Sequence, residues 1–285
     1  MTSALTTAAG ARGQWRAHRW LITRRTCQIG ILVLFLLGPL AGIWVIKGNL
    51  AHSYVLDTFP LTDPYVLAQS VVAGHRPATL ALIGAAIVAA FYALVGGRMY
   101  CSWVCPVNLV TDLAAWARRR AGWHSGASLS RHTRYWLLVA TFVAATLSGL
   151  IVWEAINPVS MVHRAVIFGA GMAWLVVAAV FAFDLLVAPR GWCGHVCPVG
   201  AFYALLGARA LMRFRAPRRD QCNFCRDCLA VCPEPQVLMP VLTGAGKDVR
   251  PTILDAACTA CGRCSDVCSR DVFQLGTRFT DRTLR

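Results

Sequence analysis

The sequence predicts an α-helical membrane protein with four transmembrane helices in two parallel repeats, followed by a small cysteine-rich α+β domain. Three observations lead to this fold class. Hydrophobic residues make up 57% of the chain and charged residues only 14%, which is outside the range of soluble domains. The apolar residues come in four runs, each long enough to cross a bilayer. The chain has 13 cysteines, and most of them fall in two dense runs near its end.

The chain begins with a basic segment, residues 1–28, that contains no acidic residue. Its arginines are Arg12, Arg16, Arg19, Arg24 and Arg25. A membrane domain is expected over residues 29–215. Its predicted spans are 29–46, 78–95, 135–153 and 165–188. The first span is expected to be retained rather than cleaved, because no small-residue cleavage site follows it.

The distribution of arginines predicts the orientation of these spans. The N-terminal segment carries five arginines, and the loop 96–134 carries six with one acid. The loops 47–77 and 154–164 together carry three bases and three acids. The positive-inside rule therefore places both termini and the 96–134 loop in the cytoplasm of a bacterial inner-membrane protein. The net charge of +15 is explained by this orientation, and no nucleic-acid-binding motif accompanies it.

The two halves of the membrane domain repeat the same order of features. Each half has a span, an outer loop with an Asx-Pro pair, a second span and a Cys-x3-Cys-Pro motif. The Asx-Pro pairs, Asp63-Pro64 and Asn157-Pro158, are 94 positions apart, and the cysteine pairs are 92 apart. Two spans per half give both halves the same orientation, so the repeat axis is expected to run along the membrane normal.

The cysteine pairs of this repeat are Cys101 with Cys105 and Cys193 with Cys197. On a helix, a spacing of four places both thiols on one face, and the prolines that follow suit the start of the next helix. Three interpretations remain open: packing, thiol or quinone-linked redox chemistry, and a third metal centre held by all four thiolates. The recurrence of both pairs in one framework favours a redox role, so these four are candidate redox thiols.

Residues 216–285 are expected to form a two-cluster ferredoxin-like domain. The runs 222–232 and 258–268 both have the spacing C-x2-C-x2-C-x3-C, in which the fourth cysteine ligates the other cluster. One [4Fe–4S] cluster is assigned to Cys222, Cys225, Cys228 and Cys268, and the other to Cys258, Cys261, Cys264 and Cys232. Zinc would need only four of these ligands, and a disulfide framework is typical of small secreted domains. Ser269 replaces the usual proline but is not a ligand.

Other polar residues near the predicted membrane surfaces are candidates for further roles. Asp184 lies near the cytoplasmic end of the fourth span, where an acid either handles protons or reaches water or Arg190. His195 is a candidate ligand or proton acceptor, and the lone Cys27 is expected to be a small buried hydrophobe. Five outer-side residues are candidate proton acceptors, although each is more simply explained as a solvated loop residue: His52, Asp63, His75, Glu154 and His163.

The combination of motifs resembles the NapH family, the ferredoxin-type quinol dehydrogenase membrane components of periplasmic nitrate reductase systems. The resemblance rests on the motifs CSWVCPVN and GWCGHVCPVG and on the double ferredoxin motif, and it covers residues 14–279. Supporting stretches are 17–21, 61–64, 153–160 and 232–235. The resemblance implies electron transfer from ubiquinol through iron–sulfur centres to a NapG-like periplasmic iron–sulfur protein and a NapC-like membrane cytochrome.

Two other functions remain open. A polyferredoxin-type assembly factor, which reduces copper or cysteines, shares these motifs but adds a further C-terminal domain. A membrane redox regulator adds a large periplasmic flavin-binding domain, which the 47–77 loop cannot hold. A quinol dehydrogenase subunit acting within a complex is therefore the leading expectation. It carries a difficulty: the predicted clusters are cytoplasmic, the implied acceptor is periplasmic, and the chain has no C-x-x-C-H haem motif.

Overall fold

The structure is a computed structural model that describes most of the chain. The described residues are 8, 10, 13–123, 126–169, 171–244 and 249–280. Arg12 and the last five residues of the predicted ferredoxin-like domain lie outside them. The chain divides into two compact units. Unit 1 consists of Met1–Cys27, Tyr92–Trp103 and Ala204–Arg285, and unit 2 consists of Gln28–Phe91 and Val104–Tyr203.

The described part of the chain is mostly helical. The α-helices in chain order are α1 Gln14–Ala41, α2 Pro64–Val72, α3 Thr79–Val95, α4 Val107–Arg120, α5 Thr133–Ser148, α6 Val152–Ile156, α7 Pro158–Phe168, α8 Gly171–Ala182, α9 Pro198–Leu206, α10 Asp227–Val231, α11 Met239–Thr243 and α12 Arg263–Val267. The strands are β1 Ile46–Gly48, β2 His52–Val55, β3 Phe59–Thr62, β4 Met212–Arg215 and β5 Gln274–Thr277. Short π-helical segments are Tyr100–Val104, Phe183–Val187 and Trp192–Val196, and 3-10 turns are Arg219–Gln221 and Pro235–Val237.

Helix α1 is longer than the apolar run from which it was predicted. It has 28 residues, about 42 Å at 1.5 Å per residue, and it begins in the basic segment rather than at residue 29. Arginine and glutamine are good helix formers, so charge does not interrupt the helix. It ends at Ala41, before Gly42 with φ +71°, and the chain continues into β1. The predicted end at residue 46 is therefore wrong.

The remaining apolar runs form shorter helices. Among the described residues, only α1 is both long and apolar enough to cross a membrane on its own. The shorter apolar helices are Thr79–Val95, Pro158–Phe168 and Gly171–Val187. Two glycines in the left-handed region interrupt the predicted third and fourth runs: Gly149 ends α5 and Gly169 ends α7. Helix α3 exposes an apolar stripe, with Leu80, Ile83, Ile87 and Phe91 each at least 43% exposed.

Unit 2 contains an antiparallel sheet that the sequence did not predict. Strand β2 pairs with both β1 and β3, within a stretch read from its composition as a polar loop. The strands are three or four residues long, too short for an alternating pattern to stand out. Pro60 lies in β3, an edge strand of this sheet, where a missing N–H is tolerated.

The two Asx-Pro pairs of unit 2 begin helices in the same way. Asp63 caps α2 and accepts a hydrogen bond from the Tyr65 N–H at 2.9 Å. Asn157 caps α7 and accepts from the Val159 N–H at 3.0 Å. In both helices, proline lies in the first turn, where a backbone N–H has no acceptor within the helix, so the N–H that proline lacks is not needed. The same local structure is therefore built twice, 94 residues apart.

Unit 1 has its own apolar core. Phe214, Leu238, Ile253 and Phe273 are each 1% exposed. Strand β4 pairs antiparallel with β5, and Ile253 extends this pairing through a hydrogen bond from its N–H to the Phe214 carbonyl. Helices α10 and α12 pack against each other on this core. The core supports two cysteine-bearing loops, one preceding each of these helices.

Candidate iron–sulfur sites

The first cysteine-lined cavity has a volume of about 250 Å³. It is lined by Cys222, Cys225, Cys228 and Cys268. Three of these come from the first run, and the fourth comes from the end of the second run. The spacing of the sequence groups the same four cysteines. Apolar walls complete the cavity, among them Phe224.

The second cavity is much smaller, about 20 Å³. It is lined by Cys258, Cys261, Cys264 and Cys232, again three cysteines from one run and one from the other. Cys261 and Cys264 are each 8% exposed, whereas Cys225 at the first cavity is exposed. The fold thus brings the eight cysteines together as two sets of four, one set more accessible than the other.

The two loops that carry these cysteines have matching backbones. Phe224 and Ala260 occupy equivalent positions and have φ values of +54° and +47°. Arg226 and Gly262 are also equivalent, with φ values of +64° and +75°. Each loop then enters a five-residue helix, α10 or α12. Left-handed residues at these positions curl each loop around its cavity, and non-glycine residues there cost about 1–2 kcal/mol each.

Burial and crowding change the acidity of the thiols. Burial, reinforced by the neighbouring thiols of Cys268, Cys222 and Cys225, raises the pKa of Cys228 to about 12. Burial likewise raises the pKa of Cys258 to about 11 and that of Cys264 well above its ordinary value. Without a cation these buried thiols stay protonated at neutral pH. A metal group must therefore displace their protons when it binds.

The donors around each cavity are four cysteine thiols, a set that an iron–sulfur cluster would use. Among the described residues, no three His, Cys, Asp or Glu side chains converge on one ion position. A structural zinc ion would need four ligands around one point. An iron–sulfur cubane instead takes one thiolate at each of four irons, so its ligands surround a volume. Four cysteines around a cavity, all able to act as soft thiolate donors, match that requirement.

The second loop is held by side chains of the segment 98–103, which lies in the same unit. Ser102 Oγ donates to the Thr259 carbonyl at 2.7 Å, and Trp103 Nε1 donates to the Ala260 carbonyl at 3.2 Å. Arg98 Nη1 donates to the Ala257 carbonyl at 2.7 Å. These side chains satisfy three backbone carbonyls of the second cysteine loop, which fixes the shape of that loop.

Arg98 also forms a buried ion pair. Its Nη1 lies 2.5 Å from Glu234 Oε1, and both side chains are 1% exposed. Gln236 Nε2 donates to the other oxygen of Glu234 at 2.9 Å. Glu234 follows the Cys232-Pro233 end of the first run, and Ala257 precedes Cys258, so Arg98 connects the chain on both sides of the second cavity. No local sequence signal predicts this ion pair.

The N-terminal part of α1 covers the same loop. The Asp266 carboxylate accepts hydrogen bonds from the N–H groups of Trp20, at 3.2 Å, and Leu21, at 2.9 Å. The Trp20 ring packs edge-on against Phe214 at 5.4 Å and lies against Gly262. A Cβ at Gly262 would be 2.3 Å from Trp20 Cγ, so only glycine fits. These contacts span 246 residues and have no local sequence signal.

The structure separates the four candidate redox thiols by unit. Cys101 lies in unit 1, whereas Cys105, Cys193 and Cys197 lie in unit 2. The expected regular helices are wrong here: Cys101 and Cys193 lie in π-helical segments, and Cys105 and Cys197 follow them. In unit 2, Cys193 Sγ approaches Thr111 Oγ1 at 4.0 Å, and the Cys105 carbonyl accepts from Gln28 Nε2 at 3.4 Å. Cys27 is half-buried rather than buried.

Asp184 and its neighbours form a structural connection in unit 2. Asp184 is fully buried and accepts a hydrogen bond from the Trp192 N–H at 2.8 Å. Arg190 does not reach Asp184 in a direct ion pair; it lies 3.4 Å from Asp112 instead. His195 is half-buried within the Trp192–Val196 segment. The other carboxylate oxygen of Asp184, Oδ2, is buried without a hydrogen-bond partner, so a proton-handling role for this residue stays a prediction.

The outer-side candidates divide into two groups. His52 and His75 are exposed, as expected, and bond to Thr62 and to the Gly149 carbonyl. Three others were expected in solvated loops, and the structure contradicts that interpretation. Asp63 is 7% exposed and accepts from the Tyr203 hydroxyl, His163 packs on Phe35, and Glu154 is hydrogen-bonded to Asn157 and Ser160. Caps and tertiary packing, which composition does not report, bury Asp63 and His163 and leave Glu154 half-buried.

The 4Fe-4S binding domain family, Fer4_5, matches the chain twice, over residues 77–124 and 170–219. These two matches contain the Cys-x3-Cys-Pro motifs rather than the C-terminal cysteine runs. Together they cover less than half of the chain, and each contains one of the paired motifs.

Full-length relatives cover almost the whole chain. The ferredoxin-type protein NapH of Escherichia coli is 49% identical over 94% of this chain and 93% of its own length. The methylamine utilization ferredoxin-type protein MauN of Paracoccus denitrificans is 50% identical over 95% of both chains. The regulatory protein NosR of Stutzerimonas stutzeri is 26% identical over 53% of this chain and 22% of its own length. No solved structure matches the chain.

Proposed function

The chain belongs to the family of ferredoxin-type proteins that includes NapH and MauN, and from that premise we propose that it is a membrane subunit that oxidises a quinol. Iron–sulfur electron transfer is the activity that this membership supports. The observation that carries the proposal is the grouping of eight cysteines into two sets of four, each around its own cavity.

We assign the binding of two [4Fe–4S] clusters to these sets. Cys222, Cys225, Cys228 and Cys268 would hold one, and Cys258, Cys261, Cys264 and Cys232 the other. When bound, such clusters supply one-electron redox chemistry at a potential set by charge, hydrogen bonds and exposure. The chain's own contribution is to present thiolates, to close the second loop with Arg98, Ser102 and Trp103, and to keep that loop dry.

The membrane assignment draws support from the long apolar helix α1 and the exposed apolar stripe of α3. We propose four membrane crossings in two parallel repeats, at the apolar runs named above. The twin family matches and the twin Asx-Pro caps support the repeat. The proposed cytoplasmic side of the N-terminus, the 98–103 segment and the C-terminal domain is supported by their packing together in unit 1.

The proposal includes a third centre at Cys101, Cys105, Cys193 and Cys197. The description of the matched family as 4Fe-4S binding favours it, since the matched ranges hold these cysteines. Electrons that cross the membrane toward a periplasmic acceptor would need an intermediate redox centre. The chain has no C-x-x-C-H motif for a haem that could serve, so the paired cysteine motifs are the candidates.

Oxidation of a quinol releases two electrons and two protons, and the protons need acceptors. Asp63 is the candidate among the outer-side carboxylates. Burial raises the pKa of Asp63 to about 6, and the nearby charge of Glu154 contributes to the rise. A base whose pKa lies close to the working pH can take and release a proton efficiently.

Two physiological roles fit the relatives. In the first, the chain passes electrons through a NapG-like iron–sulfur protein and a NapC-like cytochrome to a periplasmic nitrate reductase. In the second, it serves methylamine utilization, as the name of the MauN relative suggests. The identity to MauN, 50%, is about the same as the identity to NapH, 49%, so the relatives support the two roles equally. Deletion of the gene separates them: loss of periplasmic nitrate reduction supports the first, and loss of growth on methylamine supports the second.

The test of the biochemical proposal is the iron and acid-labile sulfide content of anaerobically purified protein, followed by reduction with a soluble quinol under low-temperature EPR. About eight irons per chain would mean two cubanes. About twelve would place a further cluster at the paired motifs. Iron below about four per chain, or clusters that no quinol reduces, would overturn the proposal.

A further inference from the structure

The two cysteine loops of unit 1 have the same backbone but opposite surroundings. In the second loop, every residue from 259 to 267 is buried. In the first loop, every residue from 223 to 226 is exposed. The difference follows from the covering side chains, because Trp20, Ser102 and Trp103 occupy the outer face of the second loop. In the described structure, the first loop carries no equivalent cover.

The residues of the first loop are unsuited to the same kind of cover. Gly262 admits the Trp20 ring because it has no side chain, whereas the equivalent position is Arg226. An indole ring cannot approach the backbone there. A carboxylate can instead approach the guanidinium and form a charge-assisted hydrogen bond with it. The open loop therefore fits an occupant with acidic groups.

The surface around the first loop has an apolar centre and a basic edge. Phe224 is 59% exposed and Met239 is 46% exposed, and both line the first cavity. Arg226 and Arg270 are exposed beside them, whereas Asp227 is half-buried in the first turn of α10. An exposed aromatic residue flanked by arginines is the composition found at the centres of protein interfaces.

We propose that this patch, residues 223–226 with Met239 and Arg270, is the docking surface for a separate acidic electron-transfer protein. The inference rests on the proposed function, because electron transfer would require the partner to bind close to the exposed Cys225 and the cluster that it would hold. A second copy of this chain is a poor occupant because each copy carries a net charge of +15. Encounters between redox proteins are small, below about 1,200 Å², which is consistent with one compact patch.

The experiment uses the full, cluster-loaded chain in nanodiscs of neutral lipid under anaerobic conditions. The probe is a purified acidic bacterial ferredoxin, and binding is measured by surface plasmon resonance at several salt concentrations. We expect salt-sensitive binding of the unmodified chain. Phe224→Ala and Arg226→Glu are each expected to weaken it roughly tenfold or more, the loss typical of a central interface residue.

Matched controls are Phe279→Ala and Arg209→Glu, which remove an exposed ring and reverse an exposed charge at residues that do not line the first cavity. They are expected to change binding less than threefold. Absence of probe binding, or equal losses in patch and control variants, would overturn the proposal. Two further results would overturn the proposal. If vesicles of anionic lipid compete with the probe and the patch variants abolish this competition, the surface binds membranes. If the chain forms a dimer that the patch variants dissociate, the surface binds a second copy of the chain.

Iron content and reduction by quinol are measured on the same preparations, so the two proposals can fail separately. Binding that depends on the patch, in a chain that no quinol reduces, leaves the docking surface standing and refutes the quinol activity. Normal reduction by quinol with no patch-dependent binding refutes the docking surface alone.

Discussion

Replacing Arg98 by methionine tests whether the second site depends on the buried ion pair. The substitution keeps the approximate length of the side chain but leaves Glu234, 1% exposed, without its cation, and it removes the hydrogen bond to the Ala257 carbonyl. Removing one partner of a buried pair costs about 3–5 kcal/mol, because the other charge stays buried. At 1.4 kcal/mol per tenfold change, opening of this region becomes roughly 100- to 4,000-fold more frequent.

Hydrogen–deuterium exchange by mass spectrometry measures this opening directly. Peptides covering residues 230–238 and 253–262 are expected to lose protection by that factor, and iron is expected to pass faster to a chelator. The double variant Arg98→Met with Glu234→Gln should recover at least half of the lost free energy, since no charge is left buried. The control is Arg218→Met, which breaks a 3.0 Å pair whose side chains are 49% and 33% exposed. Its cost should stay below about 1 kcal/mol.

The result that would refute this reasoning is specific. If Arg98→Met folds and its loops exchange within a factor of ten of the unmodified chain, the pair does not hold the second site. If the double variant is as unstable as the single one, the loss comes from packing and not from an uncompensated charge.

Three further predictions follow from the structure. Gly262→Ala should cost about 1–3 kcal/mol of stability, because its Cβ would meet Trp20 Cγ at 2.3 Å. Thermal unfolding measures this cost, which should be smaller when Gly262→Ala is made in a Trp20→Ala chain, and an equal cost in both backgrounds would contradict the clash. The raised pKa of Asp63, about 6 against an ordinary 3.8, means that the folded state binds its proton more tightly than the unfolded state. Stability should therefore be greatest below about pH 4 and fall by about 3 kcal/mol as pH rises to 6; thermal unfolding across this range should show a slope that Asp63→Asn removes, and an equal slope in the variant would contradict the assignment. Cys225→Ser should lose about half of the iron and sulfide per chain, whereas the control Cys27→Ser should lose none; full iron content in Cys225→Ser would exclude it as a ligand.

The features that sequence reasoning could reach are those encoded within a few residues. Cysteine spacing groups the same thiols that line each cavity, because a cluster imposes short separations on its ligands, and their role as ligands stays a prediction. The Asx-Pro pairs likewise contain their own cap and first helical residue. Apolar runs located the helices, while the break at Gly149 and the early start of α1 depended on backbone detail that hydropathy does not measure.

The features that sequence reasoning missed join distant parts of the chain. Arg98 and Glu234 are 136 residues apart, and Trp20 and Asp266 are 246 apart. No periodicity connects such residues, and an arginine next to a predicted span is already explained by membrane orientation. For the same reason the burial of Asp63 and His163 was not foreseen, since their partners Tyr203 and Phe35 are also remote in sequence.

The cover formed by Trp20 over the second loop also sets an order for biogenesis. Trp20 leaves the ribosome long before Cys258, and chains fold from the N-terminus as they are made. The loop can close only when the beginning of the chain, the 98–103 segment and the last 30 residues are all available. Loading of the proposed second cluster would therefore be a late step, because a chain truncated in its first helix would leave this loop uncovered although every cysteine had been translated.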